Sequence, residues 1–339
     1  MKILILTKFD SRTTNNPGGV RTYNLNLIKI VESLGHDIEF YETKNIYRLL
    51  NFKKKSYQDF DLIIINLSIY DKGFVKLVYE LIKIKNKKVI VQCHGGSFNK
   101  LKFKSIFKYL FSSLLRKKVD LFLVLNNSQG NSLNNIFDFP NKKIFKISNF
   151  IENDYNIKPK KHKKVRFFYI GRIVKEKGIF DFVEAFKEIE NNNIEFNVVG
   201  SGKDEANFLK NIKDDNRINF FGKKFGQEKV ELMERNDVFV FLTKLPEGFP
   251  IAVLEALNYG MPIISSKFPN SSQLVKNDYN GFEININKEI IKEKINFFVN
   301  NKEIIKEYGY NSKTLLDNNF SLMKQGIDIY DKIIKEIYK

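Results

Sequence analysis

With 339 residues, 43% of them hydrophobic, the chain exceeds what one core usually supports, and no apolar run nears the ~18 residues of a spanning helix, so two soluble domains are expected. A single cysteine, Cys93, excludes an internal disulfide and fits a reducing cytoplasm. The net charge of +18 invites a nucleic-acid or anionic-surface partner, but only 8 of the 57 basic residues are Arg, a bias that an AT-rich genome writes whatever the function.

The chain opens with MKILILTKFD, too short in its apolar part for a signal peptide and without a small-residue cleavage site, so it reads as a first strand. Pro17-Gly18-Gly19-Val20 follows, before a helix expected near Val20. Two glycines let the backbone approach a ligand and the helix N-terminus offers N–H groups to a phosphate, although a plain turn uses the same residues. The runs HDIEFYE, DLIIINL, KKVIVQC, DLFLVLN and KIFKIS then alternate with segments of helical period. Runs this apolar are buried on both faces, which predicts an α/β fold with a parallel sheet covered by helices on each side. Asp59-Phe60-Asp61 could hold a divalent ion, but it stands before its strand, away from the end where ligands bind, and reads as turn and surface.

KKVIVQC runs into His94-Gly95-Gly96, where a histidine at a strand end serves structure or chemistry equally well. Cys93 beside it reads as a packed small residue. Residues 99–118 hold Lys100, Lys102, Lys104, Lys108, Arg116, Lys117 and Lys118 and no acid. At helical spacing Phe103, Ile106, Phe107, Leu110, Phe111 and Leu114 form one broad apolar face, as in a helix lying on an anionic membrane or one covering a sheet. Residues 1–157 carry net +13 against +5 for residues 158–339, an asymmetry that uniform codon bias does not produce and that favours the membrane.

The polar stretch KPKKHKK, residues 158–164, reads as a linker between domains 1–157 and 165–319, with a last helical segment over 320–339. Beyond the linker VRFFYIG, IEFNVVG, RINFFG, VFVFLT and MPIISS predict a second sheet of the same kind. Ligands bind beyond the carboxyl ends of such strands, so two facing sheets make a cleft. The first strand ends at Gly171-Arg172, and Lys177-Gly178 opens the next helix. A planar fork and a mobile point charge in one loop can converge on a diphosphate, against the plainer reading of two solvated charges like Lys175 nearby. Gly200 and Gly202 bracket a strand-to-helix turn, by itself a weak signal. Glu247 ends the loop after VFVFLT, Gly248-Phe249-Pro250 turns into a helix, and Glu255 lies about two helical turns on. Carboxylates accept hydrogen bonds from vicinal hydroxyls, as on a ribose or a sugar ring.

With these loops, and with Ser148-Asn149-Phe150, Phe221-Gly222 and Gly260-Met261-Pro262, the chain resembles retaining glycosyltransferases of family 4, the glycosyl transferases group 1. The resemblance implies the GT-B fold of two facing Rossmann-like domains, with the last helix crossing back onto the first. It further implies that Arg172 and Lys177 neutralise the donor diphosphate, Glu247 contacts the transferred sugar, Glu255 the ribose, the Gly18-Gly19 region the phosphates, and His94 lies beside the reacting sugar. Fixed cations make a metal unnecessary. The expected activity is retaining transfer of a hexose-type sugar from a UDP- or GDP-sugar to a glycan or lipid-linked acceptor in bacterial surface polysaccharide or lipopolysaccharide synthesis, at the inner face of the cell membrane. A nucleotide-sugar epimerase or hydrolase is the nearest alternative. A nucleic-acid binder has only the charge in its favour, so no nucleic-acid partner is expected.

Overall fold

The computed structural model describes residues 1–7, 19–42, 57–67, 71–94, 105–158 and 163–339. They form two compact units, residues 1–152 with 322–339, and residues 153–321.

The first unit is built on β1 (Lys2–Thr7), β2 (Asp37–Glu42), β3 (Leu62–Leu67), β4 (Lys88–Cys93), β5 (Leu121–Val124) and β6 (Ile144–Lys146), in the order β2-β1-β3-β4-β5-β6 with every neighbour parallel. Its helices are α1 (Gly19–Ser33), α2 (Asp71–Lys83), α3 (Ser105–Lys118) and α4 (Asn127–Phe137). Strand periodicity of two sends Leu4, Leu6, Ile63, Ile65, Val89, Val91 and Cys93 into one core with Leu77, Leu81, Leu115 and Phe137 of the last three helices. Burial there pushes the Cys93 thiol well up, which keeps it an inert packing group. The opposite face carries Thr7, Asn66, Gln92 and, one residue past β4, His94. The unit closes with one π-helical turn, Leu322–Gly326, and a C-terminal helix, Ile327–Ile337, both packed on α1.

The second unit runs β7 (Val165–Arg172), α5 (Ile179–Lys187), β8 (Ile194–Ser201), α6 (Glu205–Ile212), β9 (Ile218–Phe220), α7 (Gly226–Arg235), β10 (Val238–Phe241), α8 (Ile251–Asn258), β11 (Ile263–Ser266), the short α9 (Ser271–Leu274), β12 (Gly281–Ile284), α10 (Lys288–Asn300) and α11 (Lys302–Asn319). Its strands are all parallel in the order β12-β11-β10-β7-β8-β9. Phe167, Phe182, Phe186 and Phe196 centre the core, with the rings of Phe182 and Phe196 4.6 Å apart. Both units are thus α/β with Rossmann-like sheets, as expected. In each, the strand order reverses beside the first strand, at β1/β3 and at β7/β10, and the crevice at such a switch point is where these sheets bind ligands.

Local chemistry shortens several expected strands. DLFLVLN pairs only over Leu121–Val124, because Asn126 leaves the sheet to cap α4, its side chain accepting from Gln129 N at 2.9 Å. The strand β12 was not expected: GFEI is short and interrupted by Glu283. Along α3, Leu115 is buried while Phe111 and Leu114 are half-buried against the core, but Leu110 is 55% exposed and so stands outside the part of the apolar face that packs on the sheet. Asp59 and Asp61 are exposed, and Asp61 accepts from Lys2 N at 2.8 Å.

Candidate active site

In the second unit the expected residues gather at the carboxyl end of β7 and β10. β7 hands the chain to Arg172, and the Tyr169 hydroxyl donates to the Arg172 carbonyl at 2.8 Å, fixing the strand end. Burial and the nearby Glu247 charge push that phenol up, so it stays a neutral donor. The Arg172 side chain is exposed and makes no ion pair or side-chain hydrogen bond among the described residues. After it a short 3-10 turn, Lys175–Lys177, ends at Gly178, whose φ of 63° and near-contact with β10 admit only glycine, since a Cβ would stand 2.6 Å from the Leu242 oxygen. This seating brings Lys177 Nζ to 2.6 Å from Glu247 Oε1, with the two side chains only 15% and 18% exposed.

Glu247 is held a second time, by the Thr243 hydroxyl donating at 2.9 Å, and Thr243 is itself pinned because its N–H donates to Ser266 Oγ at 2.8 Å. Gly248 and Phe249 are buried, and Phe249 packs on Phe320 with centroids 5.2 Å apart, which fixes the turn into α8. That helix begins at Ile251 with no side-chain cap on Pro250, and α5 likewise begins uncapped at Gly178. Each therefore leaves N–H groups open to an anion. The spacing from Glu247 to Glu255 corresponds to loop followed by one helical turn, not two turns of helix, and the two carboxylates have different partners. Glu255 pairs with Lys229 of α7 at 2.5 Å. Burial, then the Glu255 charge, pushes the neighbouring Tyr259 hydroxyl up to about 12.

Gly171 and Gly200 pair across β7 and β8, and a Cβ on Gly200 would lie 1.8 Å from the Gly171 oxygen. One on Gly202 would lie 2.2 Å from the Ile173 oxygen. These two glycines let neighbouring backbones meet, a role that their spacing did not distinguish from contact with a nucleotide.

In the first unit His94 is 7% exposed, and its ring meets Tyr23 of α1 edge-on at 4.3 Å between centroids. Burial holds its pKa down to about 3, so the imidazole is neutral across ordinary pH. Asn66 donates to Asn24 at 2.8 Å and Asn24 to Thr7 at 2.9 Å, a buried chain at the β1/β3 switch point. Beside it Gln92 is fully buried, and among the described residues neither of its amide atoms nor His94 Nε2 has a hydrogen-bond partner. Gly19 is the exposed first residue of α1, and Lys108 is exposed on α3. Gly18, Gly95, Gly96, Lys100, Lys102 and Lys104 lie outside the described residues. Sequence reasoning missed Thr243, Lys229, Tyr23, Asn66 and Gln92, because none stands in a glycine-marked loop and each matters only through a partner distant in the chain. Among the described residues no three His, Cys, Asp or Glu side chains gather as metal ligands.

Residues 150–315 match the family described as glycosyl transferases group 1. The chain is 26% identical over 301 residues to an uncharacterized glycosyltransferase of Methanocaldococcus jannaschii, spanning 82% of this chain and 76% of that one. It is 28% identical over 275 residues to the UDP-Gal:alpha-D-GlcNAc-diphosphoundecaprenol alpha-1,3-galactosyltransferase of Escherichia coli, 74% of this chain and 68% of that one. In fold it is similar to Anabaena HepE, crystallised with UDP and glucose, at a TM-score of 0.76 and 16% identity over 99% of this chain and 100% of that one.

Proposed function

We propose, for a glycosyltransferase that carries a glycosyl transferases group 1 domain over residues 150–315, that it moves a hexose-type sugar with retention from a UDP- or GDP-sugar to a glycan or lipid-linked acceptor in surface polysaccharide or lipopolysaccharide synthesis. The observation that carries this reading is the Lys177–Glu247 pair at 2.6 Å beside the unpaired Arg172, at the β7/β10 switch point. A diphosphate brings the negative charge that Arg172 lacks and that Lys177 now finds in Glu247. Once Lys177 turns to phosphate, Glu247 is released to accept hydrogen bonds from sugar hydroxyls. Glu255, oriented by Lys229, would do the same for the ribose. The E. coli relative's name, with its UDP-Gal donor and diphosphoundecaprenol acceptor, and the UDP of the Anabaena structure support the donor and acceptor classes.

Departure of the nucleoside diphosphate builds negative charge on phosphate while an oxocarbenium-like sugar forms. Cations already seated on the phosphates once the donor is bound, with the N-termini of α5 and α8, lower that barrier most, because they need no reorganisation as the charge develops. With two cations on the diphosphate, turnover without a divalent ion is the expectation. His94, neutral and buried, is assigned to the reacting sugar by the family resemblance.

Access to a lipid-linked acceptor fits the first unit's charge and the start of α3, where Lys108 is exposed beside Tyr109 and Leu110, 70% and 55% exposed. We assign this patch to an anionic bilayer surface. No helix among the described residues is long and apolar enough to cross a membrane. Thermal-shift screening of UDP- and GDP-sugars, followed by NMR of the product made with a chelator present, tests the reading. A stabilising donor and a retained anomer are expected. An inverted anomer, free sugar as the sole product, or activity that only a divalent ion restores would overturn the corresponding part.

A further inference from the structure

A line of buried aromatic contacts in the first unit joins the C-terminal helix to His94. Tyr23 sets its ring against the imidazole at 4.3 Å and 66° between planes, and its hydroxyl shares a hydrogen bond with that of Tyr330, on the C-terminal helix. Tyr23 is 4% exposed and Tyr330 1%, so the bond is shielded from solvent, and burial pushes both phenols up so that it stays neutral. At the other end of the line His94 Nε2 has no hydrogen-bond partner among the described residues. Nothing polar among the described residues therefore tethers that edge of the imidazole, and the ring packed against it is that of Tyr23. The position of that ring is fixed in turn at its far end by Tyr330.

We propose that Tyr330 is a positioning residue for His94, acting through Tyr23, so that the docking of a segment 307 residues further along the chain sets the orientation of the imidazole. The inference rests on the reading of His94 as the group beside the reacting sugar. A buried phenol kept only for packing would contribute to stability and leave the histidine and the turnover number alone. A positioning phenol affects both, since a small misplacement of a reacting group slows the chemical step more than it weakens binding.

The test uses the full chain with Tyr330→Phe, Tyr23→Phe and the double variant. Histidine is labelled with nitrogen-15, and the His94 signals are assigned by their loss in His94→Asn; the chain has only two other histidines, His36 and His162. Each single variant should shift the His94 ring signals in the ligand-free protein and lower kcat about tenfold with KM for a UDP- or GDP-sugar unchanged. The double variant, which leaves no orphaned hydroxyl, should be no worse than the poorer single. Unchanged His94 signals and kcat in Tyr330→Phe, with His94→Ala inactive, would overturn this inference alone. Wild-type kcat in His94→Ala would overturn the reading of His94 as well.

Discussion

Arg172 and Lys177 belong to one loop but stand in different surroundings, and this separates their expected phenotypes. Arg172 is exposed and unpaired, so Arg172→Ala should leave stability within about 0.5 kcal/mol while lowering kcat/KM by about 10²–10³-fold. Lys177→Ala should cost as much activity and also about 1–3 kcal/mol of stability, because it leaves the largely buried Glu247 carboxylate with Thr243 alone. Urea denaturation beside steady-state kinetics reads both; equal stability losses would contradict the geometry. His94 makes a second residue-scale prediction. Its folded pKa of about 3 lies below the 6.5 of an exposed histidine, so between those values the unfolded chain binds a proton that the folded chain refuses. The stability that this supplies is complete above pH 6.5 and falls by about 1.4 kcal/mol per unit as pH drops toward 3. Denaturation of wild type and His94→Gln between pH 7 and 5 should show that extra slope in the wild type only.

At the scale of elements, a glycine at the end of β8 and one at the start of α1 differ in what a methyl group would meet. Gly200, at φ 149°, has the Gly171 oxygen where its Cβ would go, so Gly200→Ala should destabilise by about 2–4 kcal/mol or prevent folding. Around Gly19 nothing described lies within 4 Å of a Cβ. Gly19→Ala should therefore keep its melting temperature, and a loss of donor use in that variant would report contact with the ligand. The start of α3 carries the third element-scale prediction. Leu110 is 55% exposed, so Leu110→Glu should leave stability unchanged while weakening co-sedimentation with anionic vesicles about tenfold or more. Equal partitioning of wild type and variant would leave α3 as a sheet-covering helix only. The sequence pattern alone could not choose, because a helix on a sheet and a helix on a bilayer need the same apolar stripe.

At the scale of the whole molecule, residues 322–339 complete the first unit although they follow the second in the chain. They bury Leu322, Tyr330, Ile333, Ile334 and Ile337, each a side chain whose full burial stabilises by about 1.5–3 kcal/mol. Truncation after Ser321 should accordingly lower or abolish the unfolding transition of the first unit and spare that of the second, as calorimetry would resolve.

Much of this was legible in the sequence. Strings such as KILILT, LIIINL and VRFFYIG put apolar residues on successive positions rather than alternate ones, a pattern that a strand covered on both faces buries, so two parallel sheets and their ligand-bearing ends followed from local composition. Glu247 and Lys177 could be picked out because strand-end loops are few and carry the chemistry in such folds. Their pairing could not, because they stand 70 residues apart and meet only when β10 takes its place beside β7 in the strand order. The same holds for Lys229 with Glu255 and for Tyr23 with Tyr330. Periodicity and turn chemistry act over a few residues and can be read along the chain, whereas strand order and the docking of the last helix are set by which apolar faces finally cover one another, and only the tertiary structure decided those.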